Sequence, residues 1–240
     1  MQIKKHIPNI ITLLNLFCGC IALVCLMNDD FVGAFYFVCL GIFLDFFDGF
    51  FARLFKVSSP LGLQLDSLAD MVTSGVVPGL VMFLMMLKSY NTPPIVGVDP
   101  HLLYATLGFI ITLGSCYRLA NFNIDTRQTD SFIGLPTPAN SLFIAALPFV
   151  ISANIFGLGS IFQSQWFLII FPFVSAYLLV AEIPLFALKF KSFAWQNNQL
   201  RYIFLLCCLI SLFAFGYLGI NISIVLYILF SIYNNLKTTK

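Results

Sequence analysis

Four aspartates lie in a stretch of sequence that is otherwise apolar and aromatic. Residues 44–70 read LDFFDGFFARLFKVSSPLGLQLDSLAD and hold four of the ten acidic residues of the 240-residue chain. Asp45 and Asp48 are three positions apart, and Asp66 and Asp70 are four apart. Because residues at either spacing share one face of a helix, we expect two helices that each present a pair of carboxylates.

Carboxylates gathered in a partly dehydrated place repel one another and require either bound cations or protons. Oxygen ligands suit Mg²⁺, Mn²⁺ or Ca²⁺, and no His or Cys is placed to favour Zn²⁺. Gly49, Ala52 and Gly62 would allow close approach of a helix or a ligand, and Arg53 could bind an anion. The spacing leaves three hypotheses open: metal-dependent phosphate chemistry on a lipid, a proton or cation pathway, and a structural cluster of protonated acids.

The composition indicates that lipid surrounds most of the chain. Sixty per cent of the residues are hydrophobic and 9% are charged, against roughly 25% charged in soluble domains. The net charge is only +2, and the chain has no basic stripe, which excludes a nucleic-acid-binding class. The seven cysteines form no CxxC pair, and we expect them to be small buried apolar residues rather than ligands or disulfides.

Apolar stretches of about 20 residues, the length that crosses a bilayer, predict an all-α polytopic membrane helix bundle with about eight spans. Turn-forming residues separate these stretches. The first is interpreted as a retained span rather than a signal peptide, because its apolar run is long and no cleavage-like site follows it. The predicted spans lie near residues 8–27, 31–55, 60–87, 102–122, 137–156, 165–187, 201–217 and 220–236.

The positive charges predict the orientation of these spans. With eight spans and a cytoplasmic N-terminus, only Lys88 of the twelve Lys and Arg residues lies outside, as the positive-inside rule requires. We therefore expect an integral protein of the cell (inner) membrane, with both termini and the aspartates on the cytoplasmic side. The residues predicted to lie inside are Lys4, Lys5, Arg53, Lys56, Arg118, Arg127, Lys189, Lys191, Arg201, Lys237 and Lys240.

The aspartate stretch resembles the signature of the CDP-alcohol phosphotransferase family. It reads D-x2-D-G-x2-A-R-x8-G-x3-D-x3-D, and every position is matched. Three further segments, IPNIITLLNLFCG, YRLANFN with FIGLPTPAN, and EIPLFALKFKSF, are similar to the phosphatidylserine-forming branch of that family. Asn121 and Asn140 depart from the branch pattern at positions where either could alter the alcohol pocket.

The resemblance implies a reaction, a cofactor and a domain division. The substrates would be CDP-diacylglycerol, held in the lipid bilayer, and water-soluble L-serine, and the products would be CMP and phosphatidylserine. The assembly would be a homodimer. The cofactor would be Mg²⁺ or Mn²⁺, two ions in all. Residues 1–187 would form a catalytic core of six helices, and residues 188–240 two additional helices. The alternatives are another acceptor, such as inositol phosphate or glycerol 3-phosphate, and a cation-coupled transporter.

The resemblance also implies roles for particular residues. Asp70 would be the general base as well as a metal ligand. Arg118 would bind the serine carboxylate, or otherwise serve as a positive-inside anchor, and Ser59 could bind phosphate, cap the third helix, or do both. The implied metal ligands are Asp45, Asp48, Asp66 and Asp70, and the implied CDP-diacylglycerol-binding residues are Asn9, Thr12, Gly49, Ala52, Arg53, Ser59 and Gly62.

Overall fold

The computed structural model describes residues 3–57, 59–89, 100–125, 131–186 and 195–238. These residues form eleven α-helices and two short strands. The helices are α1 (Ile3–Met27), α2 (Phe31–Phe55), α3 (Pro60–Asp70), α4 (Val77–Lys88), α5 (Pro100–Ala105), α6 (Ile110–Ile124), α7 (Thr137–Ala153), α8 (Leu158–Phe162), α9 (Gln165–Val180), α10 (Trp195–Phe215) and α11 (Tyr217–Thr238). The strands are β1 (Ser131–Ile133) and β2 (Pro184–Phe186).

The predicted all-α polytopic bundle is confirmed. Six helical stretches of the described residues are long and apolar enough to cross a membrane. Large apolar side chains such as Phe17, Phe46 and Leu113 are exposed on the outside of the bundle, as expected where lipid replaces water. The six stretches are His6–Met27, Phe31–Phe55, Pro60–Lys88, His101–Ile124, Asn198–Phe215 and Tyr217–Lys237.

The predicted fifth and sixth spans are less regular. The stretch expected at 137–156 ends at Asn154, which has a positive φ of 44°, and the chain then bends by 116° into a short helical segment, Ile155–Phe162. Together the two segments make at most one broken span. The next apolar helix, Gln165–Val180, has 16 residues, which is short for a full crossing.

The expected helix at 165–187 is wrong over its last turns. It stops at Val180, and Pro184–Phe186 form a strand that pairs antiparallel with Ser131–Ile133. Pro184 fits the stop, because in a continued helix its ring would clash with the carbonyl group of Val180, four residues earlier. Residues 195–199, expected to be a break, belong to α10.

Polar and apolar residues occupy opposite halves of the bundle. The main apolar core packs the C-terminal half of α1, the N-terminal half of α2, all of α4 and the C-terminal half of α7. Leu26, Val38, Met82 and Leu147 are at most 1% exposed there. The aspartates lie in the other half of α2 and in α3, so the dry core holds the helices together without occupying the candidate site.

The cysteines and several of the positively charged residues need separate comment. All seven cysteines are free, as expected, but only Cys18 is fully buried, and Cys20 and Cys116 are exposed, because they face outward. Of the charges used to predict orientation, Arg127, Lys189, Lys191 and Lys240 lie outside the described residues, as do the side chains of Lys4 and Lys5.

Candidate active site

A cavity of about 680 Å³ opens between the N-terminal half of α1, the C-terminal half of α2 and the start of α3. It contains all of the residues predicted to bind CDP-diacylglycerol, together with three of the four aspartates. Its lining includes Asn9, Thr12, Asp45, Asp48, Gly49, Ala52, Arg53, Ser59, Gly62 and Asp66. Asp70 and Arg118 are not among the lining residues.

The turn between α2 and α3 brings the two aspartate pairs together. Lys56 ends α2 in a left-handed conformation, with φ 53°. Ser59 then caps α3, because its Oγ accepts a hydrogen bond of 3.0 Å from the Gly62 backbone N–H. The capping role expected for Ser59 is thus confirmed. After the turn, α3 packs against α1, and Asp66 on α3 meets Asp45 and Asp48 on α2.

Three carboxylates meet at the floor of the cavity. One oxygen from each of Asp45, Asp48 and Asp66 lies within 4.8 Å of the other two. Asp48 is buried, and the other two are half-buried. Negative groups this close repel one another unless a proton or a cation lies between them.

Helix α1 holds one of these carboxylates. Thr12 Oγ1 lies 2.5 Å from Asp48 Oδ2 and 3.0 Å from the carbonyl oxygen of Pro8. A hydroxyl has one proton to donate, and the shorter contact assigns it to Asp48. Thr12 is only 3% exposed, so this contact fixes the Asp48 side chain.

Asp70 lies deeper than the other three acids and is outside the trio. It is 8% exposed and accepts a hydrogen bond of 3.2 Å at Oδ1 from Asn15 Nδ2. It lies within electrostatic range of Asp48, Asp66 and Arg118. The next six residues, Met71–Val76, form a π-helical turn, an irregularity frequently found at functional sites.

Small residues make the necessary close approaches. A side chain at Gly41 would come within 2.8 Å of Asn15 Oδ1, so this glycine lets α1 and α2 approach closely enough to place Asn15. A Cβ at Gly49 would meet only the guanidinium of Arg53, at 3.9 Å or more. Gly49 therefore leaves open space in the cavity rather than serving helix packing.

Arg118, the residue predicted to bind the serine carboxylate, does not line the cavity. Arg118, on α6, is 8% exposed, and its guanidinium carbon lies 5.8 Å from the centre of the Phe122 ring. Among the described residues, its Nε has no hydrogen-bond partner. It lies within electrostatic range of Asp70 and of Tyr227 on α11. A purely interfacial anchor would be exposed to water, so burial argues against that alternative.

The structure adds buried polar residues that the sequence analysis did not assign. Asn15 bonds to Asp70, and Ser74, Ser115 and Thr137 each carry a buried oxygen without a hydrogen-bond partner among the described residues. Asn140, already noted in the sequence as a departure from the branch pattern, has an Nδ2 that lacks a hydrogen-bond partner among the described residues. The sequence contains a pattern that could have identified them, namely polar residues three positions apart within apolar spans. Ser115 with Arg118 and Thr137 with Asn140 are two such pairs.

The donor set suits a hard divalent cation. The three clustered groups offer carboxylate oxygens only, which are the ligands that Mg²⁺ and Mn²⁺ prefer. Asp45, Asp48 and Asp66 are the residues that would hold such an ion. A cation beside an open cavity can neutralise a phosphate group, with Arg53 on the same wall.

Comparisons with known proteins identify the family of the chain. The sequence model of the CDP-alcohol phosphatidyltransferase family matches residues 5–188. A Bacillus subtilis protein named CDP-diacylglycerol–serine O-phosphatidyltransferase is 34% identical over 156 residues, which cover 65% of this chain and 82% of that protein.

Two further proteins that carry the same name are matched over a smaller share of their own length. The one from Helicobacter pylori strain J99 is 36% identical over 57% of this chain and 54% of its own length. The one from Saccharomyces cerevisiae is 30% identical over 63% of this chain and 56% of its own. This chain therefore matches about half the length of these two relatives. With the family match extending from α1 past β2, the chain belongs to the CDP-alcohol phosphatidyltransferase family.

Proposed function

We propose that the chain transfers the phosphatidyl group of CDP-diacylglycerol to the hydroxyl of L-serine, which makes it a CDP-diacylglycerol–serine O-phosphatidyltransferase. The observation that carries this proposal is the carboxylate trio beside Arg53 in a cavity between three apolar helices. The names of the relatives supply the acceptor.

The walls of the cavity suit a lipid-linked diphosphate. Arg53 and Ser59 supply donors for phosphate oxygens, and Asn9 and Thr12 border the same space from α1. Phe46 also lines the cavity and is 62% exposed, so acyl chains could leave along this face of α2. Gly49, Ala52 and Gly62 provide the room for the nucleotide.

We assign Mg²⁺ or Mn²⁺, two ions in all, to Asp45, Asp48, Asp66 and Asp70. When bound, these ions would neutralise the diphosphate and the departing CMP. Thr12 and Asn15 hold the ligands Asp48 and Asp70 in place. Such positioning residues reduce the reorganisation that binding and reaction require.

The reaction is one displacement at phosphorus. The serine hydroxyl oxygen forms a bond to the phosphorus that carries diacylglycerol, and the bond from that phosphorus to the CMP oxygen breaks. Asp70 accepts the hydroxyl proton. Arg118, buried and within electrostatic range of Asp70, binds the serine carboxylate and so orients the hydroxyl.

The setting of the reaction forms part of the proposal. CDP-diacylglycerol keeps its acyl chains in the leaflet, whereas serine and CMP are water-soluble. We propose that the cavity opens to the cytoplasm from the cell (inner) membrane, with both termini on that side, and that the enzyme is a homodimer. Residues 1–187 form the catalytic core, and residues 188–240 are two added helices.

The test is an acceptor screen on the purified protein. With Mn²⁺ or Mg²⁺, CDP-diacylglycerol and radiolabelled L-serine, we expect phosphatidylserine and CMP in equal amounts. Inositol phosphate and glycerol 3-phosphate are tested in parallel, and faster CMP release with either one would reassign the acceptor. Ion flux in proteoliposomes without any CMP release would favour a transporter and reject the enzyme.

A further inference from the structure

A second group of polar side chains lies around the helical turn that follows Asp70, and none of them lines the cavity. Two helix faces, one on α6 and one on α7, bring these side chains to the π-helical turn Met71–Val76 that follows Asp70. The turn contacts α6 and α7, and Thr73 and Ser74 within it are fully buried. The residues concerned are not used by the diphosphate cavity.

Helix α6 contributes one face. Thr112 Oγ1 donates a 2.9 Å hydrogen bond to the carbonyl oxygen of Gly75, and the Ser115 Cβ lies 3.2 Å from the point where a Gly75 side chain would begin. Arg118 is one turn further along the same face. This contact therefore places Ser115 against the turn and Arg118 near Asp70.

Helix α7 contributes the second face. Ser141 Oγ donates to the carbonyl oxygen of Thr73 at 3.3 Å, so the face that carries Thr137, Asn140 and Ser141 packs on the same turn. Ser175, on α9, donates a 2.8 Å hydrogen bond to Asn140 Oδ1. This bond orients the Asn140 carboxamide and leaves its NH₂ group without a hydrogen-bond partner among the described residues.

The remaining polar atoms of this group lack partners. Among the described residues, hydrogen-bond partners are missing for Arg118 Nε, Asn140 Nδ2, Ser74 Oγ, Ser115 Oγ and Thr137 Oγ1. Asn140 is 2% exposed, and Ser74, Ser115 and Thr137 are fully buried. Unpaired polar groups in an apolar surrounding are costly, and a polar ligand that supplied the missing partners would remove that cost.

We infer that this group is the acceptor half of the active site, and that Asn140 is a specificity-determining residue that binds the carboxylate of the acceptor together with Arg118. The inference rests on the proposed function. Asn140 Nδ2 and Arg118 Nε are both donors, as a carboxylate requires. The hydroxyls of Ser115 and Thr137 can accept from an ammonium group, so the site suits a small zwitterion that carries a hydroxyl.

The test compares L-serine with L-serinamide, which keeps the hydroxyl and the amine but lacks the carboxylate. Asn140→Leu removes the donor while keeping the same branched arrangement of heavy atoms, and we expect kcat/KM for L-serine to fall about tenfold or more. For L-serinamide, and for KM of CDP-diacylglycerol, we expect changes within about twofold. The ratio of the two acceptors is the informative readout, because a general loss of packing would lower both.

Two further variants keep the inference testable. Asn140→Asp retains the acceptor for Ser175 but places a negative charge where the donor was, so its preference for L-serine over L-serinamide should fall further than that of Asn140→Leu. The matched control is Asn221→Leu. Asn221 is likewise buried in a helix, at 3% exposed, but its Nδ2 donates to the carbonyl oxygen of Phe143 at 2.9 Å. The acceptor ratio should therefore not change in this control.

The outcomes separate this inference from the proposed function. If the wild-type protein forms no phosphatidylserine, the proposed function fails. If it does, but both Asn140 variants retain the wild-type acceptor ratio, the acceptor assignment is overturned and the enzyme stands. A variant that does not fold, judged by size-exclusion elution, is replaced by the other Asn140 variant, and an unchanged ratio in that variant alone is sufficient to overturn the assignment.

Discussion

Two regions of this protein place polar side chains inside an apolar bundle, and they differ in whether those side chains have hydrogen-bond partners. Around Asp70, buried polar atoms of Ser74, Ser115, Thr137 and Asn140 lack partners among the described residues. In the C-terminal half of α11, by contrast, Tyr227, Ser231 and Asn235 bond to the backbone of strand β2.

The α11 contacts hold both ends of strand β2. Tyr227 Oη donates to the carbonyl oxygen of Phe186 at 3.0 Å, and the Phe186 N–H donates to Ser231 Oγ at 3.4 Å. Asn235 Nδ2 donates to the carbonyl oxygen of Pro184 at 2.6 Å. Because these three residues are spaced by four, they form one stripe on the helix.

The difference separates polar groups that support the fold from those available for a ligand. A strand beside membrane helices has backbone groups that lipid cannot satisfy, and the α11 stripe satisfies them. The groups around Asp70 remain available, so they lower stability unless something binds.

The largest effect is expected for Asp70→Asn. The change keeps the size of the side chain but removes its ability to accept a proton, so phosphatidylserine formation should fall about 10²–10⁴-fold. The matched control is Asp30→Asn at the far end of α2. Asp30 caps that helix through a 2.8 Å bond from the Gly33 N–H, and asparagine caps equally well. Near-normal turnover by Asp70→Asn would reject Asp70 as the base.

Removal of divalent ions should have an effect of similar size, but a reversible one. Dialysis against a chelator leaves Asp45, Asp48 and Asp66 crowded within 4.8 Å without a counter-charge. We expect CMP release to stop and to return when Mn²⁺ or Mg²⁺ is added. Binding of Mn²⁺ by electron paramagnetic resonance should be lost in Asp48→Asn. Full turnover in the presence of chelator would reject the metal assignment.

Tyr227→Phe tests the other region. The variant keeps the ring, which packs 5.2 Å from that of Phe186, and removes only the donor to the strand carbonyl. We expect a loss of about 1–2 kcal/mol in the free energy of unfolding, seen as a lower apparent Tm in detergent. Since this hydroxyl serves the fold, KM for serine should stay within about twofold. A large rise in KM would place Tyr227 in the acceptor site.

The sequence could predict the aspartate trio because its geometry is local. Two helices joined by a short turn must bring Asp45, Asp48 and Asp66 together, and the apolar runs set the ends of most spans. The π-helical turn after Asp70 and the strand Pro184–Phe186 were not predictable in this way. Both depend on tertiary contacts, with α6 and α7 in one case and with β1 and α11 in the other.

The depth of Asp70 shows the same limit. Its spacing from Asp66 predicts a shared helix face, and both lie on one, yet Asp70 is outside the trio because α1 holds it through Asn15. Helical periodicity determines the direction in which each side chain projects from the axis of its own helix. How far a side chain lies from the surface depends on the packing of the others, here on the close approach of α1 and α2 at Gly41.

The smallest effect is expected at the end of the bundle opposite the aspartates. Asp29 and Lys88 form an ion pair of 2.9 Å, with side chains 63% and 49% exposed. Exposed pairs contribute about 0–1 kcal/mol, and Asp29 has a positive φ of 60°, which asparagine tolerates well.

Asp29→Asn removes one negative charge, as Asp48→Asn does, but where water can screen it. Its apparent Tm and its rate of phosphatidylserine formation should match those of the wild type within error, whereas Asp48→Asn should lose activity. Because both variants lose one negative charge, a difference in their activity reports the effect of removing a buried charge rather than an exposed one. If Asp29→Asn also lost most activity, net charge rather than the buried cluster would govern turnover, and the contrast between the two ends of α2 would be lost.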